Sequence, residues 1–256
     1  MSTHNSLPVA LLMLVVGSAN AMAPETVAIT SGESSTSVSA AGSPHAELMR
    51  FLMQPVEDPN RLRGYRIAIL AADGVDGFDL EVPRNFLAER GAVVHVVVPR
   101  RAKDFQAAAS GAPIQPEMQI TVLEPSGEEH VASFDQFVDQ IQPCEYDLVY
   151  LPGKLTFSDR VAEQFSISFL QQAAAEGKPI FAIGNASLVL LKAGLINNRS
   201  ARADRATVSL VSLPTAADEA APPSDTVIYT GRDAFDMPVL MDSLIARLLH
   251  RPAEGR

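Results

Sequence analysis

Phe181-Ala182-Ile183-Gly184-Asn185-Ala186-Ser187 decides the fold, because an apolar run breaks at a glycine and gives way to residues that open a helix. Upstream, Glu145-Tyr146-Asp147 leads into the apolar Leu148-Val149-Tyr150-Leu151, which stops at Pro152-Gly153. A helical stretch from about Ser158 to Glu176 follows and ends at Gly177-Lys178-Pro179. Strand, helix and strand of these lengths form a parallel crossover unit, and such units carry their functional loops at the carboxyl ends of the strands. Gly153 and Gly184 both fall at such ends. The second turn is where a nucleophile is expected, and it carries none.

The pattern extends outward as an α/β sandwich. Strands are expected at 67–71, 93–98, 148–151, 180–183 and 227–230, and helices near 80–90, 158–176, 187–193 and 237–249. Residues 119–123 and 207–212 read as extra strands, paired with each other in an edge hairpin. Thr215 to Asp225, rich in Ala and Pro, reads as a loop. His45 to Gln54 offers Leu48, Phe51 and Leu52 as the apolar side of a short helix, expected to pack on its own domain.

Tyr65 to Leu80, Phe134 to Gly153, Gly177 to Ile183 and Tyr229-Thr230-Gly231-Arg232-Asp233-Ala234-Phe235-Asp236-Met237-Pro238 together resemble the ThiJ/PfpI superfamily. The resemblance runs from about Gly64 to Leu249. It implies a flavodoxin-like three-layer α/β/α sandwich with a mostly parallel central sheet. In active members the turn after Ala-Ile reads Cys-His-Gly, which falls on Gly184, Asn185 and Ala186 here. Their acidic partner to the cysteine falls on Asp79, one methylene shorter than the usual Glu. Their Gly-Gly oxyanion loop falls on Gly153-Lys154, with half of the signature kept. The domain at the C-terminus of large-subunit catalases is similar to this chain in lacking the cysteine and in its first loop, Asp73-Gly74-Val75-Asp76-Gly77.

A thiolate at a helix N-terminus is favoured by the dipole and by free N–H groups, and glycine supplies no nucleophile at all. Ser187 is the nearest substitute, with no histidine in its segment to take its proton; the simpler role is a hydroxyl in the first turn of a helix. Cys144, the single cysteine, lies between Pro143 and Glu145 with no base beside it in sequence, and is expected to be a plain thiol. Asp79 is expected either as a structural relic, neutral or bonded to a turned-in Asn185 amide, or as a surviving ligand contact. Asp73 and Asp76 read as loop or helix-capping carboxylates. The expected ligand pocket therefore comprises Asp79, Gly153, Lys154, Gly184, Asn185, Ala186 and Ser187.

The histidines, at 4, 45, 95, 130 and 250, lack metal-ligand spacing, so no metal and no cofactor are expected. His95, inside the apolar run 93–98, reads as a strand residue. Lys+Arg 20 against Asp+Glu 30 leaves a net charge of -10, which disfavours nucleic acid and anionic membranes. Leu7 to Val16 is too short to span a bilayer and precedes a small-x-small site ending at Ala21. Residues 1–21 thus read as a signal peptide with a weak, uncharged start, 22–63 as a Ser/Ala-rich tether plus short helix, and 64–251 as the folded domain. The expected location is periplasmic or secreted, with no membrane span after processing; cytoplasmic or N-terminally anchored placement is the alternative.

Three functions fit: a non-catalytic domain binding a small molecule or protein at the former pocket; a hydrolase, lyase or glyoxalase-type enzyme using Asp79, Asn185 or Ser187; and a stress-related accessory or oligomerisation domain. The resemblance also implies a homodimer.

Overall fold

The computed structural model describes residues 43–102, 104–105, 118–157, 159–196, 209–211 and 226–250. The leader, the Ser-rich stretch before Ser43 and the 215–225 segment lie outside the described residues.

Ten strands are described: β1 (Arg66–Leu70), β2 (Val75–Asp76), β3 (Val93–Val98), β4 (Gln119–Leu123), β5 (Glu129–Ser133), β6 (Gln136–Phe137), β7 (Leu148–Leu151), β8 (Ile180–Ile183), β9 (Ser209–Val211) and β10 (Ile228–Gly231). The main sheet has the order β6-β3-β1-β7-β8-β10-β9. All its pairings are parallel except β10 with β9 at one edge. Among the described residues, five helices have full bounds: α1 (Pro44–Leu52), α2 (Gly77–Ala88), α3 (Arg160–Ala175), α4 (Ala186–Lys192) and α5 (Met237–Leu249).

Side-chain alternation builds the three layers. Ile67, Ile69, Leu148, Tyr150, Phe181 and Ile183 face a core completed by α1, α2 and α5. Their neighbours Ala68, Leu70, Val149, Leu151, Ile180 and Ala182 face the other core, closed by α3 and α4. Strands buried on both faces need apolar residues at successive positions, which is why these runs read as continuous rather than alternating. Leu48 and Phe51 bury α1 on its own domain, with Phe51 and Phe86 rings 4.7 Å apart.

The expected hairpin between 119–123 and 207–212 does not form. β4 pairs antiparallel with β5 and parallel with β2 in a separate three-stranded sheet, while β9 pairs with β10. The intervening Glu124 to Glu128 turn closes locally, with Gly127 N–H donating to the Glu124 carbonyl at 2.9 Å. A short turn closes at less entropic cost than a long connection, so β4 finds its neighbour in the next segment. β2, β5 and β6 were not expected: two are only two residues long, and β5 is almost wholly exposed.

α2 begins at Gly77, earlier than the expected 80. Asp76 caps it, its Oδ1 accepting from Phe78 N–H (3.1 Å) and Asp79 N–H (3.3 Å). The helix start thereby lies in the loop after β1, and Asp79 sits in its first turn.

Candidate functional site

The site lies at the carboxyl ends of β1, β7, β8 and β10, where backbone hydrogen bonds tie the loops together. Asp76 N–H donates to the Gly153 carbonyl (3.2 Å), and Gly184 N–H donates to the Gly231 carbonyl (2.9 Å). These two bonds hold the loops after β1 and β7, and those after β8 and β10, in register.

Gly184 ends β8 with φ +61°, in the left-handed region, and α4 starts two residues later. A sharp strand-to-helix turn of this kind projects its central side chain into open space in hydrolases built on parallel sheets. A Cβ on Gly184 would come no closer than 3.6 Å to Gly153 Cα and 3.7 Å to the Arg232 carbonyl oxygen. The turn therefore has room for a side chain and carries none.

Gly153, by contrast, has no such room. A Cβ there would fall 2.2 Å from Asp79 Oδ2, so the carboxyl occupies the space a side chain would need. Asp79 is only 9 % exposed. Burial pushes its pKa up to about 7, assisted by the charges of Asp76 and Asp233, while the Gly153 backbone hydrogen bond and Lys154 act in the opposite direction. Tyr150, fully buried beneath it, donates its hydroxyl to the Asp79 carbonyl at 3.2 Å. Burial also drives the Tyr150 pKa well up, so this phenol stays protonated as a donor.

Lys154 follows with φ +54°, the one positive φ on a non-glycine among the described residues. Its ammonium reaches Asp76 Oδ2 at 3.0 Å. Asp76 therefore spends one oxygen on the cap of α2 and the other on Lys154.

Of the residues singled out in the sequence, Asp79, Gly153, Lys154 and Gly184 come together around this turn. The hydrogen bond expected from the Asn185 amide to Asp79 is not formed, and Asn185 Oδ1 is buried without a hydrogen-bond partner. Ala186 is wholly buried in the core between the sheet, α3 and α4. Ser187 Oγ donates to the Gly184 carbonyl at 3.1 Å, in the first turn of α4. Cys144 is exposed in the 3-10 turn 143–145, before the start of β7. It is thus at the amino end of the strand whose carboxyl end carries Gly153, a strand's length of roughly 13 Å away. His95 stands in β3 with its Nδ1 3.0 Å from the Tyr146 hydroxyl. His130 pairs with Glu124, and His250 with the Ala246 carbonyl. Among the described residues no group of three or more His, Cys, Asp or Glu is placed to hold a metal ion, and no helix is long and apolar enough to cross a membrane.

Sequence reasoning passed over Gly231, Arg232 and Asp233 as site residues. They follow the last parallel strand, so the rule that pointed to Gly153 and Gly184 also points to them. A cavity of about 330 Å³ lies alongside, lined on one side by Leu155, Thr156, Phe157, Asp159 and Arg160 and on the other by Asn185 and α4. It shares Asn185 with the expected pocket and none of its other residues.

A strand-turn-helix elbow, a buried carboxyl packed on the neighbouring loop and a seven-stranded sheet of this order define a recognisable class. The DJ-1/PfpI family model matches residues 65–246, and the chain belongs to that family. Similar solved structures include a two-domain protein with DJ-1/ThiJ/PfpI-like and ferritin-like domains from Anabaena variabilis, at 17% identity and TM-score 0.48, covering 74% of this chain and 51% of that one. This chain thus spans about half the length of that protein. A DJ-1 superfamily protein from Agrobacterium tumefaciens is 16% identical with TM-score 0.45, covering 75% of this chain and 100% of its own. A ThiJ/PfpI family protein from Pseudomonas syringae is 18% identical with TM-score 0.44, covering 76% and 75%. No curated protein sequence matches the chain.

Proposed function

We propose that this protein is a catalytically degenerate member of the DJ-1/PfpI family which binds a small molecule or a protein partner around Asp79, Gly153, Lys154 and Gly184, after export to the periplasm or cell exterior. The observation that supports this reading is Gly184: a left-handed elbow with space for a side chain and no reactive atom. Ser187 is committed to the Gly184 carbonyl and Cys144 lies at the far end of a strand, so neither supplies the missing nucleophile. Thermal shift against aldehydes, amino acids and common metabolites tests it, with Asp79→Ala beside wild type. A compound that raises the wild-type midpoint and not the mutant's identifies the elbow as a working pocket. No shift from any compound, with Asp79→Ala at least as stable as wild type, sinks the small-molecule reading and leaves a protein partner, including a second copy of this chain. N-terminal sequencing of exported protein should begin at Met22; retention of the first 21 residues would overturn the export reading.

A second reading is favoured by Asp79 itself. A carboxyl titrating near 7 is present in both protonation states around neutrality, which suits a general acid or base in a hydrolase, lyase or glyoxalase-type reaction. Turnover that disappears in Asp79→Asn while the fold persists would establish this reading over the first.

A further inference from the structure

The geometry points to a second binding site, for a small amphipathic monocarboxylate, in the cavity between Leu155, Phe157 and Arg160 on one side and α4 on the other. Its volume of about 330 Å³ is within the range of small-molecule sites and admits a compact aryl or branched alkyl acid. Leu155, Phe157, Leu188 and Val189 supply an apolar lining. Leu188 is 53% exposed, so part of its apolar surface on this lining is open to a ligand.

The charges decide which end group the apolar tail carries. The two carboxylates at the cavity are both engaged. Asp159 Oδ1 accepts from Val161 and Ala162 N–H at 2.9 Å each and its Oδ2 accepts from Ala102 N–H at 3.0 Å. Those backbone donors hold its pKa below the usual range, so it stays charged and occupied. Glu163 is paired with Lys192. Arg160 is the remaining charge on the lining, exposed and, among the described residues, with no ion pair or side-chain hydrogen bond. A guanidinium with its fork free binds a carboxylate through two parallel hydrogen bonds and rejects an ammonium. An apolar tail lying against Phe157 and Leu188 with its carboxylate on Arg160 uses each of these features once.

The test uses the full chain and 3-phenylpropanoate as probe, followed by calorimetry, with 3-phenylpropanamide and 3-phenylpropylamine as the neutral and cationic isosteres. Saturable millimolar or tighter binding of the acid is expected, with the amide at least about tenfold weaker and the amine weaker still. Arg160→Gln and Leu188→Asp, both at exposed positions that leave the core intact, should each weaken the acid by about tenfold or more. Asp79→Ala should leave its affinity unchanged, because Asp79 does not line this cavity. No saturable binding, equal binding of acid and amine, or an unchanged affinity in Arg160→Gln each overturns the proposal. Loss of binding in Asp79→Ala alone would place the acid at the elbow instead, and would also overturn it. The site does not depend on the proposed function of the elbow, and either can fail without the other.

Discussion

The turns after β7 and β8 each hold one left-handed residue and differ in their chemistry. Lys154 carries φ +54° and Gly184 φ +61°, so both lie in the left-handed region. For glycine that region is free of strain; for lysine it costs about 1–2 kcal/mol. The chain thus bears strain where the superfamily resemblance places a glycine, and is relaxed where that resemblance places a cysteine. What keeps both turns in place is tertiary: Gly153 receives the Asp76 N–H, and Gly184 donates to Gly231 across the sheet. The contrast teaches that the backbone of a turn can be set by its neighbours across the sheet rather than by the residue that occupies it.

The sharpest way to break the pairing of these turns is Gly153→Ala. Its Cβ would sit 2.2 Å from Asp79 Oδ2, so either the carboxyl or the β7 loop must move. We expect a loss of about 3 kcal/mol or more in chemical denaturation, of the kind seen when a packed interior is overfilled. Adding Asp79→Ala should recover much of it, and strict additivity of the two changes would refute the contact.

Next in size is the carboxyl itself. Its pKa is about 7 in the folded protein against an ordinary 3.8, so the folded state binds more protons between those values. Stability contributed by this group is therefore full below about pH 4, falls as pH rises toward 7 and is lost above it. Asp79→Asn, which is always neutral, should stabilise the protein by roughly 2 kcal/mol at pH 8 and by little at pH 4. Urea titrations at the two pH values read this directly, and a benefit equal at both would mean that the carboxyl is not titrating in this range.

Smaller effects probe the turns alone. Gly184→Ala should cost about 1 kcal/mol, from the left-handed φ and not from crowding, since its Cβ would meet nothing nearer than 3.6 Å. Lys154→Gly should change stability least, a gain of up to about 1 kcal/mol, because relief of strain is partly offset by loss of an exposed ion pair with Asp76. A clear loss in Lys154→Gly would show that the ion pair outweighs the strain and would reverse the comparison.

Much of this was legible in the sequence because strands buried on both faces leave unbroken apolar runs. Ile67 to Ala71, Leu148 to Leu151 and Ile180 to Ile183 could hardly be read otherwise, and the breaks at Gly153 and Gly184 followed from them. β5 left no such signal: Glu129-His130-Val131-Ala132-Ser133 faces water almost throughout, and its pairing with β4 is made by backbone groups that any residue carries. At the site, the sequence offered Asp79 and Gly153 as separate candidates; that one occupies the other's missing side chain is a distance across 74 positions, which no local pattern records. The burial that raises Asp79 and leaves Asn185 Oδ1 without a partner is likewise a property of the assembled loops.

Asp76 joins two things that would otherwise move apart. One oxygen grips the amino end of α2, the other holds the end of a lysine on the β7 loop, and both are part of one rigid carboxylate. Mechanically this is a crank: a displacement of Lys154 would load the first turn of α2, and Asp79 rides on that turn. In Lys154→Gly that second grip is gone, and the amide hydrogens of Phe78 and Asp79 should exchange faster than in wild type. The reach of a surface event into the buried carboxyl is set by the width of a single side chain.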